Sequence, residues 1–127
     1  MSNRVMHFEI PYDDGDRARS FYGDVFGWQL MNMPEMSYTM VTTGPTSQEQ
    51  GPSEPGFING GMLHREGAWT APNLVIGVDN LEESLEAVTD HGGSVVVARQ
   101  PVGDMGFTAY FKDTEGNLVG LWEDAPG

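Results

Sequence analysis

The stretch His7-Phe8-Glu9-Ile10-Pro11-Tyr12-Asp13-Asp14, followed by Gly15 to Phe26 and then Gly27-Trp28-Gln29-Leu30, decides the fold, because the chain states it twice. The second statement is Asn73-Leu74-Val75-Ile76-Gly77-Val78-Asp79-Asn80, then Leu81 to His91, then Gly92-Gly93-Ser94-Val95. His7 falls on Asn73, Asp14 on Asn80, Asp24 on Asp90 and Gly27 on Gly93, each pair 66 positions apart. Each copy reads as a strand, an acidic or amide helix cap, an amphipathic helix and a glycine before the next strand. Self-similarity over such a length marks a duplicated supersecondary unit. Two such modules side by side are expected to enclose one cleft, where any chemistry would sit.

Working outward, Val5 to Ile10 reads as a strand bounded by Pro11. Asp13 or Asp14 caps a helix whose Ala18, Phe21, Tyr22 and Val25 recur at helical spacing and are expected to be its buried stripe. Trp28 is expected to anchor the corner between helix and strand. Trp28 to Met33 and Ser37 to Thr42 read as strands around a Pro34-Glu35 turn, with Met31, Met33, Met36 and Met40 as adaptable packing. Gly44 to Gly56, rich in proline and glycine, reads as a surface loop, mobile and lid-like. Phe57 to His64 returns to strand, and its Gly60-Gly61 pair marks a place where a backbone or a ligand must approach closely. In the second module Asn73 to Val78, Ser94 to Arg99, Phe107 to Lys112 and Leu118 to Trp122 read as strands, and Asp79 or Asn80 caps the helix. Asp113 to Asn117 is a hairpin turn. The class is therefore α+β: two tandem βαβββ modules, about 3–65 and about 71–124, in a single domain spanning 1–127. They are expected to form a curved eight-stranded mixed sheet around one cleft, helices on the outer face.

Composition narrows the function. Nineteen acidic residues against six basic ones give a formal charge of −13, which opposes nucleic acid as a partner, since phosphate binding needs a basic patch. There is no cysteine, so thiolate metal sites and thiol nucleophiles are excluded. No apolar run is long enough to span a membrane and the N-terminus lacks a secretion pattern, so the expected compartment is the cytoplasm.

The segments HFEIPYDDGDRARSFYGDVFGW and FKDTEGNLVGLWE resemble the vicinal oxygen chelate superfamily, which holds glyoxalases, bleomycin-type resistance proteins and extradiol dioxygenases. The similarity is closest to small bacterial glyoxalase-like proteins whose last strand reads Gly-Asn-…-Gly-Leu-Trp. In metal-using members, the resemblance implies, four ligands come from the first and last strands of each module. Carried over, those positions are His7 and Asn73, Gly60 or Gly61, and Gly120. Glycine has no donor and asparagine is a weak neutral one, whereas such metals want three or four His or carboxylate groups. No cofactor is therefore expected beyond a weakly held divalent metal, and the glycines are expected to leave room for an organic ligand. A homodimer is also expected, because proteins of this resemblance pair their sheets and open strand edges are a liability.

Strand alternation places the candidate site. With Phe8 and Ile10 against the helix, His7, Glu9 and Pro11 face the cleft; in the second module Leu74, Ile76 and Val78 take the helix face, and Asn73, Val75 and Gly77 the cleft. On the last strand Val119 and Leu121 pack, while Leu118, Gly120 and Trp122 line the cavity. The ligand-binding candidates are His7, Glu9, Tyr38, Asn59, Gly61, Asn73, Tyr110, Gly120 and Trp122, a mostly apolar set with a few polar groups, as small-molecule sites have. His7 and Glu9 are the best catalytic candidates, as an acid/base pair or as a structural ion pair satisfying itself. The expected function is a glyoxalase-like protein that binds a small, partly apolar molecule without a catalytic metal. The alternative is a lyase or isomerase, related to lactoylglutathione lyase, that moves protons through His7 and Glu9.

Overall fold

The computed structural model describes residues 3–47 and 50–126. Its contacts divide the chain into two compact units, one spanning His7–Pro72 and the other holding residues 73–126 together with 3–6. Each repeats the same plan. The first unit carries β1 (Arg4–Tyr12, whose opening residues cluster with the second unit), α1 (Gly15–Phe26), β2 (Gln29–Met33), β3 (Tyr38–Thr42), the short β4 (Thr46–Ser47) and β5 (Gly51–Pro52), and β6 (Asn59–His64). The second carries β7 (Asn73–Gly77), α2 (Leu81–Asp90), β8 (Ser94–Val102), β9 (Gly106–Lys112) and β10 (Leu118–Asp124). Strand order is β2-β3-β6-β1 in the first and β8-β9-β10-β7 in the second. First and last strands are parallel in both (β1 with β6, β7 with β10), and the remaining pairs are antiparallel. The βαβββ repeat and the α+β class read from the sequence are thus the observed ones.

The caps are those the repeat demanded. Asp14 accepts from the Arg17 N–H at 3.1 Å and Asn80 from the Glu83 N–H at 3.1 Å, each satisfying an amide that the first helical turn leaves without a partner. Gly27 ends α1 with φ 72°, a left-handed conformation that favours glycine. His91 closes α2, its ring nitrogen Nδ1 lying 2.9 Å from the Ala87 carbonyl.

The helices dock differently. Leu81 and Leu85 of α2 are buried with Val78, Ala109, Phe111 and Leu121, and Ile76, Val88, Phe107 and Val119 pack around them. Leu74 departs from its expected place on that face, being half exposed. In α1 no residue is fully buried. The expected stripe is corrected accordingly: Phe21 and Val25 are exposed, and α1 is held by Tyr22, stacked on Trp28 at 5.1 Å, and by Arg19, which donates to the buried Thr39 hydroxyl at 3.0 Å. Trp28 also meets Phe8 at 5.9 Å and Phe26 at 5.6 Å, so it anchors the corner as expected.

Three further expectations change. The first strand runs through Pro11 to Tyr12, with Pro11 opposite Leu63; a strand residue sends its N–H to one side only, so a proline is tolerated where that donor is not needed. Met31, Met36 and Met40 are exposed rather than packed. The Gly44–Gly56 segment, read as a loop, carries the β4–β5 ribbon and Ser53, which donates through both N–H and Oγ to the Pro45 carbonyl; its Gln48 and Glu49 lie outside the described residues.

Candidate functional site

Register fixes what shares a face in the first unit. Across β2, β3, β6 and β1, one row reads Met31, Met40, Gly61, Glu9, and the row beside it reads Met33, Tyr38, Leu63, Pro11. Glu9 is 4% exposed, and buried carboxylates persist only when partnered. Tyr38 supplies a partner, donating its hydroxyl proton to Glu9 Oε2 at 2.9 Å. The same hydroxyl oxygen lies 2.9 Å from His7 Nε2. A phenol has one proton, and here it goes to Glu9, so the second bond has His7 Nε2–H as donor. The imidazole is thereby held as the Nε2–H tautomer, and its lone pair is on Nδ1. The expected His7–Glu9 pair is thus a three-membered chain, His7–Tyr38–Glu9, with the phenol in the middle.

Gly61 makes this possible. A Cβ on Gly61 would fall on the Tyr38 hydroxyl, and one on Gly60 would fall on the Phe8 ring. The expectation that these glycines leave room for a ligand is corrected: aromatic side chains of the protein take that room. Register also resolves which glycine matters. Glu9 lies opposite Gly61 as Val75 lies opposite Gly120, so Gly61 and Gly120 are the corresponding positions of the repeat.

In the second unit, Gly120 sits opposite Tyr110, and a Cβ there would meet the Tyr110 ring at 3.0 Å and Val75 at 3.1 Å. Tyr110 and Asn73 are buried. Tyr110 and Tyr38 occupy corresponding strands but not corresponding positions, since Met40 is the residue opposite Gly61. Trp122 is half buried and donates its indole N–H to Asp124 at 2.8 Å. Asn59 spends both ends of its amide on the loop, accepting from the Thr43 N–H at 2.9 Å and donating to Thr46 Oγ1 at 2.8 Å. It is a clamp for the loop. The sequence reading missed Met31 and Met40 as part of the His7 face; the alternation Met31-x-Met33 and Tyr38-x-Met40 was the available signal.

Burial pushes the His7 imidazole below its ordinary value of 6.5, and the Glu9 charge opposes this more weakly. A histidine lowered in this way is neutral in the fold while the unfolded chain still takes up the proton. The fold should therefore lose stability as pH drops below about 6.5, and show no such loss above it. Urea midpoints measured between about pH 7 and pH 5 should fall more steeply for the wild type than for His7→Gln. Equal slopes would contradict this reading of His7.

The donor set can be tested against a metal within each unit. In the first, Gly61 brings no donor, and His7 Nε2 already carries a proton shared with Tyr38. In the second, Gly120 brings none and Asn73 is a neutral amide. Among the described residues no group of three or more His, Cys, Asp or Glu converges on one point. Residues of this kind do not fit a transition-metal site of three or four charged or imidazole ligands.

Residues 4–44 match the family model described as bleomycin resistance protein-like N-terminal. A lactoylglutathione lyase of Haemophilus influenzae is 30% identical over 125 residues, covering 95% of this chain and 93% of that protein. A glyoxylase-like domain-containing protein of Didymella fabae is 32% identical over 124 residues, covering 92% and 91%. Among solved structures, a methylmalonyl-CoA epimerase of Streptomyces coelicolor superposes with TM-score 0.66 over 99% of this chain and 100% of that one. At 16% identity that likeness concerns the fold alone.

Proposed function

The chain belongs to the vicinal oxygen chelate superfamily, and from that premise we propose that it binds a small, partly apolar molecule on the His7 face of its first unit without a catalytic metal. The observation that carries this is Tyr38. Its phenol lies over Gly61 at the place where the superfamily's ligand side chain would start, and it ties up both His7 Nε2 and Glu9. What the face offers is a hydrogen-bonding site, not a coordination sphere. A cytoplasmic homodimer belongs to the same proposal and rests on the sequence reading alone.

A second reading has one observation in its favour. The continuous His7–Tyr38–Glu9 chain is able to shift a proton taken up at His7 Nδ1 toward a buried carboxylate, which is how a lyase or isomerase would use it. The relatives named as lactoylglutathione lyases keep this reading in play.

Native mass spectrometry of freshly purified protein should show a co-purifying small molecule that is lost in His7→Ala. A bound compound released unchanged supports the binder, and a compound released as a new product supports the enzyme. Elemental analysis after dialysis, followed by zinc, nickel and manganese titration, should find no stoichiometric site. Metal held at submicromolar affinity and abolished by His7→Ala would overturn the metal-free reading.

A further inference from the structure

Three features of the first unit combine on one face. The lone pair of the His7 ring is left on Nδ1, because its other nitrogen donates to Tyr38, whose own proton goes to Glu9. Glu9 is buried beside it with its carboxylate fixed by the same hydroxyl. On the Glu9 row itself, across Gly61, Met40 of β3 opposes Met31 of β2, and these residues are 42% and 65% exposed. Large apolar side chains left in water on a face that also carries a ring acceptor are a cost without a ligand. Methionine is the side chain best able to shape itself to an irregular or aromatic surface.

The charges on this face are one-sided. None of its facing rows contains a lysine or arginine. Arg19 of α1 is engaged with Asp16 and with Thr39 of β3, and Arg65, beyond the end of β6, pairs with Asp13. The chain as a whole carries −13. A carboxylate or phosphate brought here would meet an acceptor lone pair, a buried acidic group and a repelling field, with no cation in those rows to bind it.

Resting on the binder reading above, we propose that the face selects an amphipathic organic molecule with an apolar body laid on Met31 and Met40 and an uncharged or cationic N–H or O–H donor head directed at His7 Nδ1. Anionic heads are excluded. The selection is one of charge and polarity: donor heads satisfy the imidazole lone pair, and the body recovers the exposed methionine surface.

The test uses the full chain with its methionine methyls isotopically labelled, titrated with tryptamine, tryptophol and indoleacetate, which share an indole and differ in head group. Tryptamine and tryptophol should move the Met31 and Met40 methyl signals and bind at least about tenfold more tightly than indoleacetate. A Met31→Ser, Met40→Ser double variant, both sites being exposed, should stay folded by circular dichroism and lose most of that affinity. Indoleacetate binding equally well at the same methyls would overturn the charge selection while leaving a binding face in place. If no probe moves those methyls, the proposal fails; a co-purifying molecule that also survives His7→Ala would then remove the binder reading beneath it.

Discussion

Gly61→Ala is expected to destabilise the protein by about 1–3 kcal/mol, the range for forcing an extra carbon into a packed site. The new Cβ would coincide with the Tyr38 hydroxyl, so the phenol must swing away. Its donation to Glu9 and its bond from His7 are then lost together. Swinging a ring is cheap on its own; losing a hydrogen bond to a carboxylate that is 4% exposed is not. The prediction is therefore conditional on Tyr38. In a Tyr38→Ala background the same glycine substitution should cost less than half as much, a coupling that a double-mutant cycle in urea measures directly. Equal costs in the two backgrounds would mean that Gly61 serves some other constraint.

Leu81→Ala is expected to cost about 2–5 kcal/mol, the range for truncating a buried leucine where the cavity cannot collapse. Leu81 is 0% exposed and lies among Val78, Leu85, Ala109, Phe111 and Leu121. Its N–H is also fixed, donating to Glu123 Oε1 at 2.8 Å, which keeps the start of α2 from moving inward to fill the void. Phe21→Ala on α1 is the control: with Phe21 54% exposed, its removal should cost less than about 1 kcal/mol despite the larger side chain. Denaturant midpoints at unchanged slope check both. A Leu81→Ala cost below that of Phe21→Ala would contradict the packing described for α2.

The contrast between those helices shows where sequence reading stops. The repeat, each cap to within one residue, and Gly27 were legible because each depends on local backbone chemistry that a residue or two reports. Which arc of α1 docks was not legible. Helical spacing grouped Phe21 and Val25 with Ala18 and Tyr22, but the contact is made by a Tyr22–Trp28 stack and an Arg19–Thr39 hydrogen bond, and a polar contact leaves no hydrophobic period.

The site divides in the same way. Alternation along β1 set His7 and Glu9 on one face, and they meet there through a shared partner. That Tyr38 bridges them was hidden, because it depends on the register of β3 against β6, which puts Met40 rather than Tyr38 opposite Gly61. The Gly60-Gly61 pair signalled a close approach, but by a backbone or a ligand. Composition alone had no means of saying that protein rings, Phe8 and Tyr38, make that approach.

The central claim is that Tyr38 holds His7 Nε2 and so takes the place of a metal ligand sphere. Nitrogen NMR of the labelled His7 ring near neutral pH, with and without equimolar zinc, tests it most directly. The expected result is a neutral ring protonated at Nε2, its Nδ1 unprotonated, and both signals unmoved by zinc. A ring with its lone pair on Nε2, or an Nε2 signal that shifts stoichiometrically on adding zinc, would contradict it.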